Sequence, residues 1–474
     1  MKDTIKKIHF VGIKGVGQTP LAIIAKEAGM QVSGSDTAET YITDTLLKKA
    51  AIPVEKKFSE KNIKKVDLVI TTGAHGGYDN IEVQTAKKMA IPVMTQGEAV
   101  GYFMSGKPFN RHDMEGISVV GCHGKTTTTA MIATILQSAK QDPSFVIGTG
   151  LVASLGSSGY YGKGKYFVAE ADEYATEPVH NKTPKFMWQH PKLAVVTNIE
   201  YDHPDLYPTF ASLVTAYKKF IAQVFADGGK IVACGDDPEV QKIVKNEKNK
   251  IITYGFNSNN DYVVENVASI IGGMEFRVSH QGEPFGTFRI NVLGKHNVLN
   301  GLASSIVAHE LGLSIAKIQQ GLADFVGTKR RLEFVGNTQE GAAVFDDYAH
   351  HPTEIKKTLE ALRERYQNSN IICVFQPHTF SRTKLLFKEF TNAFDAVNTV
   401  IFTDIFASAR EAFDNTVSSK DLQIAANKKQ NALYLPSLDD VTAYFRQEKP
   451  KSDTIIVTMG AGNVYQIAYA IITH

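Results

Sequence analysis

At 474 residues, 43% hydrophobic and 21% charged, the chain is too long for one ordinary core and reads as a globular protein of roughly three domains. Its formal net charge of +2 excludes a bulk electrostatic pull towards nucleic acid or a membrane surface. Its three cysteines, Cys122, Cys234 and Cys373, lie far apart in no metal-like spacing, which excludes a disulfide framework and suits a reducing compartment.

The N-terminus, MKDTIKKIHFVGIKGVG, lacks the long apolar core and small-residue cleavage site of a signal peptide. No run approaches the ~20 apolar residues of a membrane span. The expectation is a cytoplasmic protein.

Short apolar runs alternate with longer amphipathic ones, the βαβ pattern of α/β proteins with mainly parallel sheets. The first region opens with a strand at KIHFVGI, a glycine turn at Gly12, Gly15 and Gly17, a helix at PLAIIAKEAGM and a strand at QVSGSD. Further strands read at DLVITTGA and IPVMT. The second region starts at ISVVG and continues with strands at YFVAEAD, LAVVTNI and KIVACGDD. The stretch EFRVSHQGEPFGTFRINV alternates and turns as antiparallel hairpins do. A helix then begins at KHNVLNGLASSIVAHELG. The third region has strands at AAVFDDYA, IICVFQP, TVIFTDI and TIIVTMG. Three α/β units follow, at residues 1–112, 113–327 and 328–474.

The sharpest motif is VVGCHGKTTTTAMIATIL. Gly121 and Gly124 bracket a turn between strand and helix, where backbone N–H groups favour phosphate. Lys125 can reach the β- and γ-phosphates, and Thr126 can offer a hydroxyl to Mg2+. The alternative is a plain capped turn. Four threonines in a row cost helix propensity, so something must compensate. The spacing is shorter than G-x-x-x-x-G-K-[ST]: the position of the first glycine is Val119.

The turn at Gly12, Gly15 and Gly17, with Ser35-Asp36 after the next strand, is similar to a dinucleotide fingerprint with altered glycine spacing. Glu170, Asp172 and Glu173 end a strand where α/β ligands bind, and one of them can hold Mg2+. His203 follows the next apolar strand, a place for a metal or phosphate ligand. His296, Asn297 and Asn300 open a helix, either as caps or as adenosine contacts. In the third region DDYAHHPTE offers Asp346, Asp347, Tyr348, His350 and His351, and FQPHTFSRT offers His378 and Arg382. Arg382 can clamp a carboxylate bidentately.

Taken together, GCHGKTTTT, EADE, TNIEYDH, GKHNVLN, KRRLE, DDYAHHPTE, FQPHTFSRT, DIFASARE and TMGAGN resemble the Mur ligase family in content and order over nearly the whole chain. The resemblance accounts for the short phosphate loop. It implies three domains: a Rossmann-like UDP-sugar domain, a central ATP-binding domain with a small antiparallel insertion, and a Rossmann-like domain for the incoming amine.

It also implies roles. Gly121, His123, Gly124, Lys125, Thr126 and Thr127 would cradle the ATP phosphates, and Asn297, Arg331 and Asp347 would contact the rest of ATP. Thr126, Glu170 and His203 would hold Mg2+. Glu173 is a further candidate, and so is Lys218 if carbamylated, because it lies at the spacing after His203 where other members carry a carbamylated lysine. Lys125, Glu170 and His203 would be catalytic. Gly12, Gly15, Gly17, Ser35 and Asp36 would hold the UDP part. Tyr348, His350, His378 and Arg382 would surround the amine.

The implied reaction activates the lactyl carboxylate of UDP-N-acetylmuramate with ATP, as an acyl phosphate, and gives it to L-alanine. The third-region motifs favour L-alanine. The longer segment HNKTPKFMWQHP instead resembles members that attach a ready-made tripeptide. Two readings from other classes remain: a nicotinamide oxidoreductase, which leaves the Lys125 loop idle, and a nucleotide-binding scaffold, which needs only that loop.

Overall fold

The computed structural model describes residues 5–245, 250–407, 411 and 413–472. The chain divides into two compact units. Unit 1 comprises Met1–Ala268, Glu275–Asn291 and Asn297–Thr328; unit 2 comprises Ser269–Met274, Val292–His296 and Lys329–His474.

Unit 1 begins with a five-stranded parallel sheet of β1 (Lys7–Val11), β2 (Gln31–Ser35), β3 (Val54–Glu55), β4 (Leu68–Thr71) and β5 (Val93–Thr95), in the order β3-β2-β1-β4-β5. Its helices are α1 (Thr19–Glu27), α2 (Asp44–Lys49), α3 (Ile81–Lys88) and α4 (Gln96–Met104). Burial on both faces explains the apolar run of β4, and in β1 the one buried polar side chain, His9, is bonded to Ser33 and Glu82. The strand order reverses between β1 and β4, which opens a crevice beyond their carboxyl ends. Gly12 sits there with φ +74°, and a Cβ on it would come within 2.5 Å of Thr72 Cγ2, so only glycine fits.

The second sheet of unit 1 is built on β6 (Glu115–Val120), β7 (Ser144–Val146), β8 (Gly159–Tyr160) and β9 (Tyr166–Glu170). A separate antiparallel hairpin, β10 (Ala175–Glu177) and β11 (Asn181–Pro184), follows. The sheet resumes with β12 (Leu193–Val196), β13 (Lys230–Cys234), β14 (Ile251–Gly255), β15 (Tyr262–Ile270), β16 (Gly273–His280) and β17 (Glu283–Ile290). Its order is β17-β16-β15-β14-β13-β12-β6-β9-β7-β8. Strands β15, β16 and β17 are joined by two-residue turns at Ile271-Gly272 and Gln281-Gly282, the hairpin insertion that the alternation predicts.

Helix α5 (Lys125–Ser138) runs from the β6 loop with Thr126 to Leu136 all buried. That burial compensates for the poor helix propensity of its four threonines. The remaining helices of unit 1 are α6 (Phe210–Ala226), α7 (Pro238–Val244), α8 (Lys295–Glu310) and α9 (Ile315–Asp324). Helix α9 lies on α5 at Gly321, where a Cβ would come within 2.5 Å of Ile135 Cα.

Unit 2 carries a six-stranded sheet of β18 (Glu333–Asn337), β19 (Ala343–Asp347), β20 (Asn370–Phe375), β21 (Thr399–Phe402), β22 (Asn431–Tyr434) and β23 (Thr454–Met459), in the order β18-β19-β23-β20-β21-β22. Only the β18–β19 pair is antiparallel. Helices α10 (Pro352–Arg365) and α11 (Phe380–Leu385) follow β19 and β20. Among the described residues no helix is long and apolar enough to cross a membrane.

Candidate active site

Parallel pairing decides which strand ends face the Lys125 loop. Val119 of β6 pairs with Glu170 of β9, and Val120 pairs with Val196 of β12. Glu170 and Thr197-Asn198 therefore emerge on either side of Gly121–Gly124. Gly121 has φ +136°, and a Cβ there would lie 2.0 Å from Thr197 Oγ1; Gly124 has φ +81°, and a Cβ there would lie 2.6 Å from Asn300 Oδ1. The Thr197 hydroxyl donates to His123 O (2.6 Å), while Asn198 Oδ1 accepts from the His123 N–H (2.9 Å). Thr197 and Asn198 thus clamp the loop. They are absent from the expected set, although their place directly after the neighbouring strand was a usable signal.

Lys125 opens α5. Its ammonium donates to Gly121 O (2.6 Å) and to Glu173 Oε2 (2.8 Å). Glu173 Oε1 lies 3.0 Å from His203 Nε2, and Asp202 Oδ2 is 3.7 Å from the same nitrogen. Glu173 is 2% exposed. Burial alone would raise its carboxyl, yet Lys125 and His203 bring it down to about 2. The Lys125 ammonium is pushed up: burial opposes its charge, but Glu173 and Asp172 outweigh burial.

Thr126 Oγ1 donates to Glu170 Oε2 (2.9 Å), and Glu170 Oε1 accepts from the Gly148 N–H (2.5 Å). The structure therefore gives Glu170 to Thr126, and His203 to Glu173 and Asp202. Ligand atoms of Glu173, Asp202 and His203 lie within 4.8 Å of one another. Hydroxyl and carboxylate oxygens with one imidazole are a donor set that Mg2+ accepts. Thr127 is buried in the first turn of α5. Asn297 is buried at the start of α8, and its Oδ1 accepts from Asn300 Nδ2 (3.0 Å) beside Gly124.

Lys218 does not join this group. The apolar stripe of α6, namely Leu213, Tyr217, Phe220, Ile221 and Val224, faces inward, which leaves Lys218 and Lys219 exposed. The buried neighbour is Tyr217, packed on Phe186 at 5.4 Å. Lys218→Ala should keep kcat within about twofold of wild type; a large loss of turnover that a small carboxylate such as acetate restores would reinstate the carbamate role.

In the first sheet, Gly12 N–H and Ile13 N–H both donate to Ser35 O, and Gly15 N–H donates back to Gly12 O. Gly17 passes beside Gln96. Ser35 corrects the expected pair in one respect: it is fully buried, and its hydroxyl donates to Glu82 beneath the turn. Asp36, just past the end of β2 and also buried, accepts from the Lys14 N–H (2.8 Å) with His75 Nε2 at 3.5 Å.

Unit 2 gathers its own set. Tyr348 and His350 ring centroids are 5.3 Å apart, His350 and His378 are 6.1 Å apart, and His378 stacks on Phe406 at 5.7 Å. Arg382, 5% exposed, has Nη1 3.3 Å from His378 Nδ1. Glu411 accepts from the N–H groups of Phe380 and Ser381 at the head of α11. Residues 408–410 of the DIFASARE stretch, and residue 412, lie outside the described residues.

Arg331 lies over the Tyr348 ring at 5.3 Å and 3.9 Å from Glu354. Its neighbour Arg330 is the buried one. It donates to Asp346 Oδ2 (3.0 Å), Gly460 O (2.6 Å) and Gly462 O (3.1 Å), pinning the TMGAGN turn.

Asp347 accepts from the N–H groups of Leu332 and Ala349, both at 2.7 Å. Burial pushes its carboxyl up to about 7, against the pull of Arg331 and those N–H groups. The native state then keeps a proton that the unfolded chain releases near 3.8. Stability should fall as pH rises through that window, by at most about 1.4 kcal/mol per pH unit, and level off above it. In urea melts, Asp347→Asn should gain on wild type between about pH 5 and about pH 8; a constant difference would contradict the raised carboxyl.

A lysine loop clamped between parallel strand ends, with hydroxyl, carboxylates and histidine around it, defines a phosphate-handling α/β protein. Family models place it more narrowly: the Mur ligase family catalytic domain matches residues 7–108, the Mur ligase middle domain residues 119–308, and the Mur ligase glutamate ligase domain residues 330–462. The chain belongs to the Mur ligase family. It is 39% identical to the UDP-N-acetylmuramate–L-alanine ligase of Desulfitobacterium hafniense over 98% of this chain and 99% of the relative. It is 40% identical to that of Acetivibrio thermocellus over 98% and 95%. The solved UDP-N-acetylmuramate–alanine ligase of Thermotoga maritima matches with a TM-score of 0.81 at 26% identity over 98% of both chains. A murein peptide ligase from Psychrobacter arcticus shares the fold, with a TM-score of 0.70 at 24% identity over 98% of both chains.

Proposed function

We propose that this chain joins L-alanine to the lactyl carboxylate of UDP-N-acetylmuramate with ATP, in the cytoplasm, as a step in building peptidoglycan precursors. It is an ATP-dependent, amide-bond-forming ligase. The observation that carries the reading is the full-length likeness to relatives of that name, at 39% and 40% identity. The Lys125–Glu173–His203 constellation supports it chemically.

Two anions must meet: the substrate carboxylate and the γ-phosphate of ATP. Lys125 offers a permanently charged ammonium at the head of α5, where the loop N–H groups also favour phosphate. The carboxylate oxygen attacks the γ-phosphorus, ADP leaves, and the acyl phosphate is taken by the free amine of alanine; phosphate departs with the carboxylate oxygen. Thr126, Glu170 and His203, with Glu173 and Asp202 beside them, would hold Mg2+, which supplies charge neutralisation at the transferring phosphoryl group. Glu173 holds Lys125 and His203 in register. The first glycine turn with Asp36 receives the UDP part, and Asn297, Arg331 and Asp347 serve ATP. Arg382 faces the amino-acid carboxylate, with Tyr348, His350 and His378 around it.

The test is amine choice. ADP release is measured with UDP-N-acetylmuramate and, separately, L-alanine, L-serine, glycine and L-Ala-γ-D-Glu-meso-diaminopimelate. The highest kcat/KM is expected with L-alanine. Turnover with the tripeptide alone would replace this reading with the tripeptide ligase that the β10–β11 segment resembles.

A further inference from the structure

The first glycine turn contains a side chain that a nucleotide cradle alone does not explain. Lys14 stands between Gly12 and Gly15 and is 7% exposed. Its ammonium donates to the carbonyl oxygens of Thr37 (3.0 Å) and Glu39 (2.6 Å). It also stands 3.6 Å from Asp44 Oδ1 and 5.5 Å from the centre of the Tyr41 ring. The Lys14 carbonyl accepts from the Thr43 hydroxyl (2.5 Å), and its N–H donates to Asp36. Every one of these contacts falls on the segment from Asp36 to Asp44. That segment has no helix or strand before α2, and Ala38, Glu39 and Thr40 are exposed. A long side chain buried to its charged end is costly unless its donors are used; here two carbonyls accept from it, and the Asp44 carboxylate stands by as counter-charge.

The far end of the segment touches the loop that follows β7. A Cβ on Gly150 would lie 2.8 Å from Ile42 Cδ1. Gly150 is two residues from Gly148, whose N–H holds Glu170, and Glu170 holds Thr126. Ile42 therefore packs on the same short loop whose Gly148 N–H holds Glu170.

We propose that Lys14 is a positioning residue: it ties residues 37–44 to the first glycine turn, fixes one wall of the sugar-nucleotide cradle, and seats Ile42 against the loop behind Glu170. This rests on the assignment of that turn to the UDP part of the substrate. A wall held in place before binding lowers the ordering cost of the nucleotide, so its loss shows in nucleotide affinity more than in amine affinity.

The test uses Lys14→Met, which keeps the apolar stem and removes only the ammonium, and Lys14→Arg, which keeps the charge. With Lys14→Met, the KM for UDP-N-acetylmuramate should rise about 5- to 30-fold, while the KM for L-alanine stays within about twofold; Lys14→Arg should recover most of the difference. An unchanged KM for the sugar nucleotide, or an equal rise for all three substrates, overturns the proposal. Calorimetric titration with UDP separates it from the functional reading. Weaker UDP binding by Lys14→Met than by wild type supports the positioning role even if no ligation is seen, and equal affinity overturns it. A wild type that binds no UDP overturns both.

Discussion

Replacing Lys125 by alanine should lower the ligation rate by at least ~10³-fold, with little change in the KM for L-alanine. Lys125 is the first residue of α5, and its ammonium reaches both the Gly121 carbonyl and Glu173. No other described lysine or arginine pairs with Glu173, so its charge is not duplicated there. The transferring phosphoryl group spreads negative charge over its equatorial oxygens, and the attacking carboxylate adds more. A fixed cation gives most where water is least able to screen it. The variant also leaves the buried Glu173 with His203 as its remaining partner, which costs stability, about 3–5 kcal/mol where a buried pair is broken. Lys125→Arg is therefore made beside it: it keeps the charge and the fold, and tests whether position matters as well as sign. Rates are read from ADP release on samples whose thermal melts establish that they are folded. Near-normal ligation by folded Lys125→Ala would remove the basis for assigning this loop to ATP.

Arg382→Lys should raise the KM for L-alanine by roughly 10- to 100-fold and leave the KM for ATP within about twofold. Arg382 is buried on α11, with Nη1 against the His378 carbonyl and ring (both 3.3 Å). Those contacts set the plane of its guanidinium. A planar fork meets a carboxylate with two parallel hydrogen bonds, whereas an ammonium offers a single point of charge. Lysine keeps the charge in place of a buried cation, so the loss reports geometry rather than collapse. The pattern to look for is a KM effect confined to the amine. An equal fall in kcat at saturating L-alanine, with KM unchanged, would instead assign Arg382 to the reacting phosphate or to folding.

The phosphate loop was legible in the sequence because its chemistry is local: Gly121, Gly124, Lys125 and Thr126 are contiguous, and the strand before them is apolar. The three sheets were legible from apolar periodicity, and so was the hairpin insertion at β15–β17. The β10–β11 hairpin was not. Residues 175–184 contain two prolines and no alternation. Their shape comes from side-chain bonds that alternation does not report: Trp188 Nε1 donates to the Thr176 hydroxyl, and Glu177 accepts from the N–H of Val179 across the turn. Strand β22, Asn-Ala-Leu-Tyr with only Ala432 buried, lacks the apolar run that marks the equally short β12 and β21. Within the site, spacing alone could not rank Glu170 against Glu173, because that depends on which of them the folded loop turns towards Lys125. Spacing also suggested Lys218, although the 3.6-residue stripe of α6 places it outside. Ser35 and Asp36 are adjacent, and spacing could not show that the Ser35 hydroxyl turns to Glu82 while Asp36 takes the Lys14 N–H.

The most direct test of the account follows one oxygen atom. UDP-N-acetylmuramate labelled with 18O in its lactyl carboxylate is turned over with ATP and L-alanine, and the released phosphate is weighed by mass spectrometry. Activation as an acyl phosphate predicts one carboxylate 18O in each phosphate released. Phosphate free of label, with amide product formed, would contradict phosphoryl transfer to the carboxylate and the role given to Lys125.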